Sequence, residues 1–273
     1  MPSYQGHLAK MNVELAAPVN YHLPLDEHRL PLNELLGETV QLTYTGKIHC
    51  AHCGRVSNKS FNQGYCYPCF KKLAQCDICM MSPEKCHFDA GTCREPEWAQ
   101  EFCMTEHYVY LANSSGVKVG ITRGTQLPTR WIDQGAVQAL PILRVQTRQQ
   151  SGLVEDVIRQ HVADKTNWRT MLKGVIPELD LMERRDQLLE LCHDELSVLD
   201  QRFGLQAIQR LDAEAVDINY PVLEYPTKIT SLNFDKNPQV SGRLMGIKGQ
   251  YLILDSGVIN MRKFTAYHIE VTV

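Results

Sequence analysis

Nine of the ten cysteines, Cys50, Cys53, Cys66, Cys69, Cys76, Cys79, Cys86, Cys93 and Cys103, fall in one short stretch of a 273-residue chain. A disulfide framework staples a small secreted domain along its length, so thiols gathered into one segment point instead to metal ligation in a reducing compartment. The tenth, Cys192, lies among apolar residues and reads as packing. Cys50-Ala51-His52-Cys53 and Cys66-Tyr67-Pro68-Cys69 each put two thiols at the ends of a tight turn, with Gly54 after the first pair and Gly64 before the second. Two such pairs can converge on one tetrahedral ion at about 2.3 Å per sulfur, the pattern of a zinc ribbon or treble-clef knuckle. A second group, Cys76 and Cys79 with Cys86 and Cys93, supplies four further sulfurs at irregular spacing, and His87 and Cys103 are alternatives to them. The expectation is two structural zinc ions. Sites closed by four protein ligands leave no position for an activated water, so zinc accounts for folding and any chemistry lies elsewhere.

A hydrophobic content of 44% is enough for a real core. The first residues carry no basic stretch followed by an apolar run, and no segment offers the roughly 18 uninterrupted apolar residues of a bilayer span. The reading is a cytoplasmic protein without a membrane partner. A formal net charge of −3 excludes polyanion binding over the whole surface, so contact with nucleic acid must be local.

Patterning divides the chain into four parts. Residues 1–48 contain β-like runs (His7 to Leu15, Val19 to Leu25, Glu38 to Tyr44) broken by prolines and Gly37, with one helical turn over Leu32 to Leu36. Residues 49–104 are rich in turn formers and poor in apolar periods, so metal has to hold them. In 105–214, two strand signals, a helix around Arg130 and a third strand, Ala139 to Val145, precede helical periodicity from Leu153 onward. In 215–273 strand patterns return at Thr227 to Phe234, Val240 to Ile247, Gln250 to Leu254, Val258 to Arg262 and Ala266 to Val273, with hairpin signals at Gly249 and Asp255-Ser256-Gly257. The expected fold class is α+β: a zinc-ribbon or treble-clef-like segment, a small α/β domain with a helical extension, and a small β-sheet or barrel of the C-terminal strands that the N-terminal ones can join.

The run His107-Tyr108-Val109-Tyr110-Leu111-Ala112, the turn Asn113-Ser114-Ser115-Gly116 and the run Val117-Lys118-Val119-Gly120-Ile121-Thr122 resemble the paired strands that open the GIY-YIG nuclease domain. The similarity extends over about sixty residues, to roughly residue 169, with Arg130 at the place of the family's helical arginine and Glu155 at that of its metal-binding glutamate. The resemblance implies a nuclease in which Tyr110 positions or deprotonates the attacking water. It further implies that Arg130 holds the scissile phosphate and that Glu155 binds a divalent ion, Mg2+ or Mn2+. Lys118 stands where the second motif has a tyrosine, and it can contact phosphate. The stretch is locally basic despite the acidic whole, and Lys118, Arg123, Arg144 and Arg169, with Trp131 as a stacking ring, are the candidate nucleic-acid contacts. The whole chain, with its closing phrase Gly246-Ile247-Lys248-Gly249-Gln250-Tyr251-Leu252, also resembles an uncharacterised prokaryotic family known only as a domain of unknown function, which implies no activity. Three functions fit: a metal-dependent nuclease or phosphodiesterase acting on DNA or RNA, a non-catalytic nucleic-acid or ribonucleoprotein binding module, and a protein-interaction scaffold.

Overall fold

A computed structural model describes residues 2–204 and 206–273. The first part of the chain forms β1 (Ser3–His7), β2 (Asn12–Glu14), β3 (Asn20–Leu25), β4 (His28–Pro31) and β5 (Thr39–Ile48). The cysteine segment follows, with two short helices, α1 (Tyr67–Lys72) and α2 (Pro96–Phe102). Next come β6 (His107–Asn113), β7 (Val117–Arg123), α3 (Thr129–Asp133), β8 (Gln138–Val145) and α4 (Arg148–Ile158). Helices α5 (Trp168–Leu172), α6 (Leu181–Leu191) and α7 (His193–Phe203) lead to two short strands, β9 (Ile208–Arg210) and β10 (Val216–Asp217). The chain closes with β11 (Gln239–Lys248), β12 (Tyr251–Leu254), β13 (Gly257–Asn260) and β14 (Tyr267–Thr272).

The terminal segments build one six-stranded sheet in the order β1-β14-β5-β11-β12-β13, antiparallel at each pairing. It is an open sheet and not the barrel that was the alternative expectation, because β1 and β13 lie at opposite edges and do not pair. Alternation sets which side faces the core: along β14, Tyr267, Ile269 and Val271 are buried while the residues between them are partly exposed. Both hairpin signals are realised, Gly249 with φ +63° between β11 and β12 and Asp255-Ser256 between β12 and β13. The expected strand from Thr227 to Phe234 is reduced to a single bridge, Ser231 to Val258. There the Asn233 side chain accepts from the backbone N–H of Asp235 and bends the chain away from the edge of β13.

The second sheet, β10-β8-β6-β7 with β9 beside β8, has two covered faces. On one, Val109, Leu111, Val119, Leu140 and Ile142 pack against Val154 and Ile158 of α4, Leu181 and Leu188 of α6, and Cys192. On the other, Tyr110, Ala112 and Ala139 join Trp131 and Ile132 of α3 in the core of the six-stranded sheet, with Leu42, Ile247, Phe264 and Ile269. The N- and C-terminal strands and the α/β region therefore share one hydrophobic core. Burial of these branched side chains from both sheets is the main favourable term in holding the two together. No helix among the described residues is long and apolar enough to cross a membrane.

The three-stranded sheet β2-β3-β4 rests on the edge of the larger one where β1 passes β3. A Cβ on Gly6 of β1 would lie 2.6 Å from the Leu25 carbonyl carbon and 2.8 Å from its oxygen, and backbone does not yield there. Gly6→Ala is expected to lower stability by about 1–3 kcal/mol, read as a lower denaturation midpoint at unchanged m-value.

Candidate functional site

Four sulfurs meet just beyond the end of β5. The Sγ atoms of Cys50, Cys53, Cys66 and Cys69 all lie within 4.8 Å of one another. Cys53 Sγ and Cys66 Sγ are 3.7 Å apart, far beyond a disulfide, and all four residues are free thiols. A tetrahedron with metal–sulfur bonds of about 2.3 Å has edges of about 3.8 Å, so the spacing suits zinc. Local backbone makes this possible. The first knuckle closes with Gly54 N–H donating to Cys50 O at 2.9 Å, and Gly54 sits at φ +69°, where a side chain would be strained. The second pair straddles a helix start, Cys66 being the N-cap of α1 and Cys69 lying within it. Burial alone would favour the neutral thiol of Cys50. Backbone N–H groups of Cys66, Cys53 and His52 donate to its sulfur and outweigh that, holding it at about 6, a poised metal ligand.

The other cysteines lie farther along the segment. Cys76 is buried beside the first four, near Cys50, Asn62 and Arg94. Cys79, Cys86 and Cys93 stand apart from it, together with Cys103, around a separate cavity. Arg94 links the two halves: its Nη1 donates to Phe70 O and Leu73 O at the end of α1, and its Nε pairs with Asp77 at 2.8 Å.

A polar cluster gathers at the edge strand β7. The ring of Tyr110 lies over its cross-strand partner Gly120, where a Cβ would come within 2.6 Å of the hydroxyl, so only glycine fits beneath it. The hydroxyl donates to Gln134 Oε1 at 2.9 Å. Burial raises Tyr110 to about 12, Arg130 opposing and Glu155 adding to the rise. Burial also lowers Lys118 to about 8, with Arg130 pushing the same way and Glu155 and Asp164 opposing. Glu155, on α4, is raised to about 7 by burial and then by Asp164, against the pull of Arg130, Arg148 and Lys118. Tyr110, Lys118, Arg130 and Glu155 thus lie within electrostatic reach of one another. Arg130 makes no ion pair within 4.0 Å among the described residues.

The remaining expected nucleic-acid contacts do not join this cluster. Trp131 is only 4% exposed and packs edge-on against Tyr110, so it is a core residue and no base can stack on it, a correction to its expected role. Arg123 is five residues from Lys118 on β7, hence on the opposite face, and lies over the ring of Phe102. Arg144 pairs with Glu106 at 3.4 Å and donates to Gln209. Arg169 is exposed and stacks on Trp168, which in turn stacks on Tyr251. Two members of the cluster, Arg148 and Asp164, are absent from the expected site. Arg148 lies seven residues before Glu155, two helical turns away on the same face, and that spacing is the signal that could have found it. Asp164 comes from the loop laid along β7, where Val119 N–H donates to Ala163 O, a tertiary contact with no sequence signature.

The geometry defines a protein of mixed α and β fold with a four-cysteine cluster whose spacing suits a structural metal such as zinc. Residues 37–269 match the model of a protein family of unknown function, DUF2797, and the chain belongs to that family. The match starts just before β5 and reaches into β14, and so spans the cysteine cluster, the second sheet and the six-stranded sheet apart from β1 and the end of β14. No curated protein and no solved structure matches the chain.

Two measurements follow. Cys66→Ser is expected to lose the zinc of the first site and, with it, the order of residues 50–72, because metal binding in such segments contributes roughly 10–16 kcal/mol of folding free energy. Elemental analysis with amide exchange over that stretch tests it. His107 is fully buried with Nδ1 toward Thr105 O, and burial lowers it to about 4. The unfolded chain takes up this proton first, so the contribution is complete above pH 6.5 and is lost as pH falls toward 4. About 3 kcal/mol is at stake, and denaturant titrations of wild type and His107→Gln between pH 7 and 4.5 should converge on the acid side.

Proposed function

We propose that the chain is a metal-dependent phosphodiesterase acting on DNA or RNA, with a GIY-YIG-like domain over residues 105–214 carried on a zinc-stapled module. The observation that carries this is that Tyr110, on the central strand β6, Lys118, on the edge strand β7, and Glu155, on α4, all lie close enough to Arg130 to feel its charge. The order of elements, a hairpin (β6 and β7), a helix with the arginine, a third strand and a helix with the glutamate, agrees with the resemblance in the sequence.

The roles follow from the environments. Glu155 would hold the Mg2+ or Mn2+ ion, which when bound stabilises charge on the transferring phosphoryl group. Raised to about 7, its carboxyl is half protonated near neutrality, and a bound cation favours the ionised form. Arg130, which makes no ion pair within 4.0 Å among the described residues, can grip two phosphate oxygens at once. Lys118 adds positive charge beside it. Tyr110 keeps its proton at neutral pH and donates it to Gln134 beside Arg130, so in this reading it positions the arginine and is not the base. Burial weighs against this cluster reaching a substrate, since Lys118 is 4% exposed and Tyr110 fully covered, and so favours a second reading, a non-catalytic nucleic-acid or ribonucleoprotein binding module that binds through exposed residues such as Arg169.

Labelled single- and double-stranded DNA and RNA, incubated with purified protein with and without Mg2+ or Mn2+, decide between the two. Cleavage is expected to require the metal and to fall about 10²–10³-fold in Glu155→Ala and in Arg130→Ala, in line with removal of a transition-state contact, and by roughly tenfold in Tyr110→Phe, which keeps the ring but not the hydrogen bond. Intact substrates throughout, with binding that weakens as salt rises, would leave the binding module.

A further inference from the structure

Beyond the first tetrahedron, five of the segment's cysteines remain to be accounted for. Cys76 belongs with the first site, buried near Cys50, with the Asn62 side chain at its sulfur. The other four, Cys79, Cys86, Cys93 and Cys103, come from four separate places in the chain and line one cavity of about 20 Å³. Cys79 lies in the turn Ile78–Met80, Cys86 follows the turn Pro83–Lys85, Cys93 ends the loop after it, and Cys103 caps the C-terminus of α2. All four are free thiols, and the rest of the wall is largely apolar, with Phe88, Trp98 and Ala99. A space of this size holds one small ion.

We propose that this cavity is a second zinc site closed by the four sulfurs of Cys79, Cys86, Cys93 and Cys103, with Cys76 outside it. Four thiols lining one small, largely apolar space are the donor set of a structural zinc; their sulfurs do not all lie within 4.8 Å of one another as those of the first site do, so the ion would draw them together, and Arg148 and Arg123 lie near Cys103 to offset the net negative charge of a four-thiolate centre. The competing set is Asp77, Cys79 and His87, whose ligand atoms also lie within 4.8 Å of one another. Asp77 is already engaged, and His87 is turned toward it. His87 Nδ1 is 2.8 Å from Thr92 Oγ1, and its Nε2 faces Asp77 Oδ2 at 3.4 Å. Asp77 also takes Arg94 Nε at 2.8 Å and the Ile78 backbone N–H at 2.6 Å. These groups satisfy each other and hold the loop over residues 86–94 around the thiols.

The site has a structural task. Arg148 N–H donates to Cys103 O at 2.8 Å, Arg148 Nη2 to Met80 O at 2.8 Å and Gln149 Nε2 to Cys86 O at 3.2 Å. A Cβ on Gly152 would lie 2.5 Å from Pro83 Cβ and 2.7 Å from Glu84 N, so the turn before Cys86 presses directly on the helix. The second zinc therefore fixes the first turns of α4, the helix that carries Glu155.

Elemental analysis of the purified protein is expected to give two zinc ions per chain, falling to one in Cys103→Ser and in Cys86→Ser and staying at two in Cys76→Ser and His87→Ala. Amide exchange over residues 148–155 should rise in Cys103→Ser while that of β11 and β14 is unchanged. X-ray absorption at the zinc edge of the wild type needs no variant to fold, and should give four sulfurs per zinc at about 2.3 Å with no light-atom shell. One zinc per wild-type chain, a nitrogen or oxygen shell, or loss of zinc in Cys76→Ser with retention in Cys103→Ser would each overturn the assignment.

Discussion

The backbone ladder of β5 is the interaction on which the remainder depends. Its residues 39–48 pair with β11 on one side and with β14 on the other, so Val40 lies opposite Gly242 and Leu42 opposite both Val240 and Val271. These contacts join positions about 200 residues apart and close a loop that contains the cysteine segment and the whole α/β region. Everything between must fit inside that closure. The thiol tetrahedron begins two residues after β5 ends, and the second sheet meets the six-stranded one through α3 and the Tyr110 face.

Within that frame, metal and apolar burial divide the labour. The segment from Cys50 to Cys103 buries few large apolar side chains of its own: Leu73 is covered, whereas Val56, Tyr67, Ile78 and Met81 are exposed. A stretch of this composition cannot offset its conformational entropy by burial, and a metal held by Cys50, Cys53, Cys66 and Cys69 would supply what is missing. The two sheets are the opposite case, with Leu42, Ile247, Ile269 and Val109 fully or almost fully covered and no ion needed. Between these regimes lies the Tyr110 cluster, where burial has moved a tyrosine, a lysine and a glutamate away from their ordinary values in one place. Groups displaced in that way are found where a protein does chemistry, and also where a structural network is closed off from water.

Local periodicity made much of this legible. The β6–β7 hairpin, α3 around Arg130, β8, and the strands from β11 to β14 stand within a residue or two of where alternation and turn residues put them. The first thiol set is equally readable, since two Cys-x-x-Cys pairs with a glycine at each knuckle specify their own geometry. What sequence could not supply was company. Trp131 reads as an aromatic among arginines and therefore as a stacking ring, yet the helix rotates it into the core. Cys76 pairs by spacing with Cys79, yet only Cys79 lines the cavity it shares with Cys86, Cys93 and Cys103, while Cys76 lies near Cys50. Arg148 and Asp164 enter the Glu155 cluster only through the packing of α4 and the loop along β7.

The position of β5 has a bearing on the order in which the protein is made. As the chain leaves the ribosome, β5 emerges early, but neither of its partners exists until residue 239 and then residue 267 have appeared. Through most of synthesis it is a ten-residue strand with both edges open, the kind of surface that recruits other nascent chains. The cysteines that follow at once can capture their ion without waiting for the far end, and a folded knob at the strand's foot limits how another chain can lie along it. Without a metal at the four thiols the same strand, open for the same interval, would have no folded knob at its foot.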